Sequence, residues 1–389
     1  MTFEFATAAR IIFGNGSLSE AGPIALSLLG NVRKGKVMLV SGVSTSRPSR
    51  LTAILAKHDI EFVTLPVTGE PTVEMVRTAA DRAVVSNCRI VISIGGGSAI
   101  DAGKAIAAMI TNGGNPTEFL EVIGQGKPLS QPPVPFIAIP TTAGTGAEVT
   151  RNAVLVSTPH RLKVSLRSPL MLPRVALVDP ELTYDLPPAL TAATGLDALT
   201  QLIEAFVSVR ANPLTDGFCR EGIPRIARSL REVCEDGECA IAREDMALAS
   251  LLSGLALANA GLGAAHGIAA PLGGRFAAPH GAVCAALLPH VITVNVAAIR
   301  RAAPQSESLR RYDEVGRMLT GSASAVAADA IRWTSEVNRD LGIPRLGSYG
   351  IRPIDIPSLA EGARSASSMK GNPVVLTSEE VCAIVTAAL

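Results

Sequence analysis

Hydrophobic and polar positions are arranged differently in the two halves of the chain. In the first half, short continuous apolar runs alternate with segments whose apolar residues recur at helical spacing. Lys36–Val40 (KVMLV) reads as a buried strand, Pro48–His58 as a helix, and Glu61–Val67 as a second strand. Thr72–Ser86 reads as a helix with Thr72 as its N-cap. Arg89–Ile94 (RIVISI) is a third strand, followed at once by Gly95-Gly96-Gly97-Ser98 and a helix through Ile110. Pro135–Ile139 and Arg174–Val178 are further strands. Strands apolar on both faces, alternating with helices, predict a parallel sheet covered on both sides.

After Asp179-Pro180 the strand pattern stops. Pro188–Val207, Pro213–Leu230, Arg243–Ala260 and Val326–Leu341 all read as helices. The expectation is a Rossmann-like α/β domain over residues 1–182 and an all-α domain over 183–389. Met246–Ala265 carries no charge and is long enough to cross a bilayer. It also holds Asn259, two serines and three glycines and lacks flanking aromatics, so it is expected to be a buried core helix.

Composition sharpens this picture. Of 389 residues, 48% are hydrophobic but only 3% aromatic, so the cores must be built from Ala, Leu, Val and Ile. Lys+Arg (35) nearly balances Asp+Glu (34), which excludes an electrostatic footprint for nucleic acid or anionic membrane. The six cysteines, Cys88, Cys219, Cys234, Cys239, Cys284 and Cys382, form no Cys-x-x-Cys pair and read as reduced thiols. The opening MTFEFATAARIIFG carries Glu4 and no apolar signal core. A cytoplasmic protein is expected.

Candidate chemistry begins at the glycines. Gly95-Gly96-Gly97-Ser98 lies between a buried strand and a helix, where small residues let the backbone approach a phosphate and the helix N-terminus favours the anion. Ile139-Pro140-Thr141-Thr142-Ala143-Gly144-Thr145-Gly146-Ala147-Glu148 follows another strand and places three threonine hydroxyls at a strand's C-terminal edge. Two such loops point to a dinucleotide, so residues 1–182 are expected to be a dinucleotide-binding domain, with the active site in a cleft between it and the all-α domain. The Gly-x-Gly-x-x-Gly fingerprint is absent from these turns, and Gly14-Asn15-Gly16 reads as an ordinary turn. Residues set out for cofactor binding are Gly42, Ser44, Gly96, Gly97, Ser98, Asp101, Thr141, Thr142, Thr145 and Lys163. After the first strand, Ser41-Gly42-Val43-Ser44-Thr45-Ser46-Arg47 supplies hydroxyls and a cation but no acid to repel a 2′-phosphate. NADP is therefore expected to be accepted as well as NAD.

In the second half, Asp197 and Gln201 are four residues apart and share one helix face. His266 and His280 lie in a Gly/Pro-rich apolar stretch. A carboxylate and two imidazoles with a fourth donor suit Zn2+ or Fe2+, and also suit an ordinary hydrogen-bonded core. Cys284 reads as a buried thiol, His290 as a helix-start or core residue, and His58 and His160 as surface positions.

The succession GGGSAIDAGKAIA, PTTAGTGAEVT, LVDPELTYDLPP, GLDALTQLIEA and AHGIAAPLGGRFAAPHGAVCAALLPHV, over roughly residues 90–295, resembles the iron-containing alcohol dehydrogenases. That resemblance implies metal-assisted hydride transfer between a small alcohol or aldehyde and NAD or NADP. Asp197, His266 and His280 match its metal ligands and are the catalytic candidates, with Gln201 the fourth candidate ligand. Gly96, Gly97 and Ser98 match its pyrophosphate loop, and Thr141 and Thr142 its nicotinamide side. Two positions depart from the pattern: Gln201 stands where histidine is common, and Ala270 where a second histidine often follows the first. A maleylacetate reductase-like or polyol dehydrogenase activity, or nucleotide binding without metal or catalysis, are the alternatives. A homodimer is expected, through the segment Thr2–Ile12.

Overall fold

The apolar runs of the first half fold as a six-stranded parallel sheet. The computed structural model describes residues 2–30, 35–44, 46–160 and 162–389. In chain order its first part comprises β1 (Ile11–Phe13), α1 (Ala21–Leu29), β2 (Lys36–Ser41), α2 (Ser46–Lys57), β3 (Phe62–Pro66) and α3 (Val73–Val85). It continues with β4 (Cys88–Gly95), α4 (Gly97–Asn112), β5 (Phe136–Pro140), β6 (Asn152–Ser157), β7 (Leu162–Arg167) and β8 (Val175–Val178). The sheet order is β1-β8-β5-β4-β2-β3, and every pairing in it is parallel.

The two-residue period of the strands divides the sheet's side chains between two cores. Met38, Val40, Val91 and Ala138 pack with residues of α3 and α4. Val37, Leu39, Ile90, Ile92, Ile94, Ile137 and Ile139 pack with residues of α1 and α2. The Thr72 hydroxyl accepts from the Met75 N–H at 3.1 Å and caps α3 as its sequence predicts.

The antiparallel pair β6–β7 is outside the expected pattern. It is anchored to α4: the Val154 N–H donates to Asp101 Oδ2 at 3.0 Å. Lys104, fully buried, donates to the carbonyl oxygens of Ala147 (3.0 Å) and Asn152 and to the Thr150 hydroxyl (2.9 Å).

The second unit is helical: α5 (Pro188–Val207), α6 (Pro213–Glu235), α7 (Ala240–Ala260), α8 (Ala264–Arg275), α9 (His280–Ala302), α10 (Glu307–Thr320), α11 (Ala327–Asp340), α12 (Ile356–Ser365) and α13 (Ser378–Ala388). It comprises residues from Asp185 onward together with Ala143–Thr145 and the segment up to Phe5, whose ring packs against Phe218 at 5.7 Å. The uncharged stretch is split between α7 and α8, which meet at a bend of 97°. Among the described residues, one helix, α9, is long and apolar enough to cross a membrane by itself, and 78% of its apolar window is buried in the protein.

Candidate active site

The glycine and threonine loops singled out in the sequence cluster where the strand order reverses. From β2 the chain moves outward to β3, whereas β4 leads the other way to β5 and β8, so the switch point lies between β2 and β4. Ligands of open α/β sheets bind outside the strand ends at such a point. There the Gly42 N–H donates to the Ile94 carbonyl at 3.0 Å. A Cβ on Gly95 would meet the Ala99 Cβ at 2.6 Å and the Gly42 backbone at 3.0 Å, so the approach of the two strands requires a residue without a side chain.

Gly96 is the N-cap of α4 and supplies no side-chain cap, and Gly96, Gly97 and Ser98 are partly exposed. The first N–H groups of a sixteen-residue helix are thus presented at the switch point, the arrangement that binds phosphate. Thr142 lies beside this turn, its Cγ2 3.4 Å from a Cβ built on Gly96. Thr141 is buried; its N–H donates to the Gly95 carbonyl at 3.0 Å, and its hydroxyl is 3.5 Å from Arg47 Nη1. Gly42 and Ser44 follow β2, with Ser44 Oγ 3.1 Å from Ser46 Oγ. Thr45 lies outside the described residues. Thr145 follows Gly144, where a Cβ would meet Thr194 Cβ at 2.7 Å; this loop packs directly on α5.

Two cofactor candidates are committed elsewhere. Asp101 holds β6 and forms an ion pair with Lys104 at 3.1 Å. Lys163, on β7, pairs with Glu70 at 2.8 Å.

The helical unit brings Asp197, His266 and His280 together and adds Cys284. Their ligand atoms all lie within 4.8 Å of one another. Asp197 projects from α5, His266 from the first turn of α8, and His280 and Cys284 from the first turns of α9, four residues apart and so on one helix face. His266 Nε2 is 3.3 Å from Asp197 Oδ1, and His280 Nε2 is 3.8 Å from the same oxygen. Cys284 Sγ is 3.7 Å from His280 Nε2, and the imidazole centroids are 5.4 Å apart. Asp197 and His266 are buried, whereas the His280 side chain is 43% exposed and gives the cluster its open side.

The surrounding shell fixes these groups. His266 Nδ1 is 2.6 Å from Oε2 of Glu204, which lies about two turns along α5 from Asp197, while Glu204 Oε1 accepts from the Ala265 N–H. A carboxylate on Nδ1 selects the tautomer whose Nε2 lone pair faces the cluster. Gln201 Nε2 donates to Asp197 Oδ2 at 3.2 Å, and its Oε1 accepts from Ser253 Oγ at 2.7 Å. A carboxylate neighbour dictates that orientation, because the reverse would set two oxygens against each other. Gln201 therefore orients Asp197 rather than directing its own oxygen at the cluster. Ala270 is exposed one turn beyond His266. His290 is neither a helix start nor fully buried; it is half-buried in the middle of α9, and His280 is the residue that opens the helix.

Charge is strongly coupled within the cluster. Burial pushes the Asp197 carboxyl up, but His280 and His266 outweigh it and hold it below its usual range. Burial pushes the Cys284 thiol up, and the same two imidazoles draw it down overall. Cys284 first, then Asp197, raises His280 to about 9 against the opposing effect of burial. Asp197 Oδ1 and His266 Nε2 are both buried and have no hydrogen-bond partner among the described residues. Two unsatisfied buried donor atoms facing one point, beside an imidazole and a sulfur, fit a divalent metal, which would satisfy all four at once.

A switch-point phosphate loop and a carboxylate–imidazole cluster on a helical unit define a nucleotide-dependent metal dehydrogenase. The chain belongs to the iron-containing alcohol dehydrogenase family. The profile described as "Iron-containing alcohol dehydrogenase" matches residues 8–180, and "Fe-containing alcohol dehydrogenase family, C-terminal" matches residues 191–389. Alcohol dehydrogenase 4 of Saccharomyces cerevisiae is 36% identical over 96% of this chain and 95% of its own. The NAD-dependent methanol dehydrogenase of Bacillus methanolicus is 33% identical over 100% of both chains. A solved 1,3-propanediol oxidoreductase superposes with a TM-score of 0.92 at 33% identity, covering 100% of each chain. The protein is accordingly an oxidoreductase of the alcohol dehydrogenase class that works with NAD(H) and a divalent metal.

Proposed function

We propose that Asp197, His266 and His280 hold the metal, and that the turns after β2, β4 and β5 hold the dinucleotide, for reversible hydride exchange between a small alcohol and its carbonyl product. The observation that carries this reading is the buried pair Asp197 Oδ1 and His266 Nε2, 3.3 Å apart, neither atom of which makes a hydrogen bond. Bound there, a divalent metal supplies polarisation of the substrate oxygen, while the nicotinamide supplies the hydride chemistry.

The chain's own groups do the positioning. Glu204 fixes the His266 tautomer, Gln201 aims Asp197, and the open side of His280 admits the substrate. Ala270 offers no base, so proton exit is assigned to solvent. Replacing His266 or His280 by Ala is expected to abolish both metal binding and alcohol oxidation. Full activity of both variants after chelation would sink the reading.

The cofactor preference extends to NADP. Residues 41–47 contain no carboxylate, and Arg47 lies within hydrogen-bonding reach of Thr141 near the β2 end. A kcat/KM for NAD exceeding that for NADP by about a hundredfold, roughly 2.7 kcal/mol, contradicts this. We further assign the protein to the cytoplasm, a reading supported by its six free cysteines, and to a homodimer through Thr2–Ile12, which leads into the edge strand β1. Light scattering at micromolar concentration distinguishes the dimer from a monomer.

A further inference from the structure

In the metal cluster, Gln201 stands where the family resemblance would place an imidazole, and both ends of its amide are already engaged, by Asp197 and Ser253. Asp197, His266 and His280 alone supply one oxygen and two nitrogens. Cys284 supplies a further donor atom at the same point, from the helix turn that carries His280.

The spacing of these donors can be tested against coordination geometry. In a tetrahedral zinc site with bonds of about 2.0–2.1 Å to nitrogen or oxygen and about 2.3 Å to sulfur, neighbouring donors are about 3.3–3.6 Å apart. Of the six donor pairs, His266–Asp197 is 3.3 Å, Cys284–His280 is 3.7 Å and His280–Asp197 is 3.8 Å apart, and all six lie within 4.8 Å. Ordinary packing does not require a sulfur and an imidazole at that spacing around two buried atoms that make no hydrogen bond.

Resting on the reading of this cluster as the metal site, we propose that Cys284 Sγ is the fourth protein ligand, in place of Gln201, and that the resulting site prefers Zn2+ to Fe2+. On binding, the thiol gives its proton to solvent and the sulfur donates an electron pair to the metal; no oxidation is involved. Thiolate is a soft donor, and its inclusion with imidazole favours zinc, whereas all-hard or imidazole-rich sets accommodate iron readily. A second anionic ligand beside Asp197 also balances the charge of a divalent ion inside a buried site.

The test uses the full-length protein stripped with chelator, then reloaded separately with Zn2+ and Co2+. X-ray absorption of the zinc form is expected to show one sulfur at about 2.3 Å. The cobalt form is expected to show a near-ultraviolet sulfur-to-metal charge-transfer band. Cys284→Ser is expected to lose that band and to bind Zn2+ at least about tenfold more weakly, since even outer-shell changes at metal sites cost about 10–100-fold. Cys382→Ser, in α13, is expected to keep both. Metal bound without a sulfur neighbour, with unchanged zinc affinity in Cys284→Ser, overturns the ligand assignment alone. Failure of the wild-type protein to bind either metal overturns this assignment and the metal-site reading together. The absorption measurement needs no variant, so a folding defect in Cys284→Ser leaves the question decidable.

Discussion

Two clusters of buried ionisable groups lie in the two units, and they are built to different ends. Around Lys104, every proton of the ammonium meets an acceptor: two carbonyls, a threonine hydroxyl and the Asp101 carboxylate. Around Asp197 and His266, two buried atoms are left facing each other without a hydrogen bond, and a sulfur and a second imidazole face the same space. The first cluster satisfies its buried ammonium and fastens one element to another, although burial still outweighs Lys104 at Asp101 and pushes that carboxyl up. The second leaves part of its desolvation penalty to be recovered by something that binds. On the reading proposed above, the first cluster is scaffold and the second is site, although both consist of charged residues in apolar surroundings.

The contrast can be broken from either side. Asp197→Asn, which keeps size and removes charge, is expected to lower kcat/KM by at least about 10³-fold, roughly 4 kcal/mol of transition-state stabilisation. Metal content should fall with it while the thermal midpoint of the metal-free protein changes little. Lys104→Met should do the opposite. It leaves Asp101 buried without its cation, at a cost of about 3 kcal/mol or more, which lowers the melting temperature by about 6–12 °C at 2–4 °C per kcal/mol. The metal content of the folded protein is expected to stay the same. Loss of metal in Lys104→Met would merge the two classes.

Glu148 refines the scaffold side. Burial pushes its carboxyl up to about 7, against its own backbone N–H and Lys104. A carboxyl raised above its unfolded value binds its proton more tightly when folded. Its stabilising contribution is fully present below about pH 4.5 and is lost as pH rises through about 7. Relative to wild type, Glu148→Gln should gain stability between pH 5 and 8, by on the order of 2–3 kcal/mol at the upper end. Parallel melting curves across that range for the two proteins would contradict the assignment. The smallest effect expected is that of Ser253→Ala, which frees Gln201 Oε1 and loosens Asp197. It should cost about 1 kcal/mol, read as a several-fold weaker metal affinity at unchanged melting temperature.

The sheet was legible because its strands are continuous apolar runs closed by glycine or proline, and the structure keeps those from Lys36 to Val178 within a residue or two. The β6–β7 pair escaped that reading. Asn152–Ser157 alternates buried and half-buried positions, the mark of a short antiparallel strand outside the main sheet. On the helical side, α8 and α9 were hidden by Pro271 and Pro289 within them. The carbonyl that Pro289 leaves without its helical partner is that of Ala285, and the Asn338 side chain donates to it at 2.6 Å. A compensation from 53 residues away has no local sequence signal.

The same cause governed the site. Asp197, His266 and His280 stood out as residue types, but Cys284 joins them only once α9 is known to be helical from His280 onward. The diversion of Gln201 depends on Ser253, in another helix altogether. Gly96 and Ser98 could be read locally because a strand, a glycine turn and a helix are contiguous in sequence. The commitment of Asp101 and Lys163 to other partners could not, because those partners lie on elements that meet only in space.

The corner between α7 and α8 bears on how the chain is made. Translation delivers the uncharged residues 246–265 after α5 and α6, the helices against which α7 packs most extensively, so that segment meets its partners as it leaves the ribosome. The proposed metal donors emerge in the order Asp197, His266, His280, Cys284. Until the first turns of α9 have been synthesised the set is incomplete, so the centre cannot be fully loaded before the chain has passed the middle of the helical unit, with α10 to α13 still to follow.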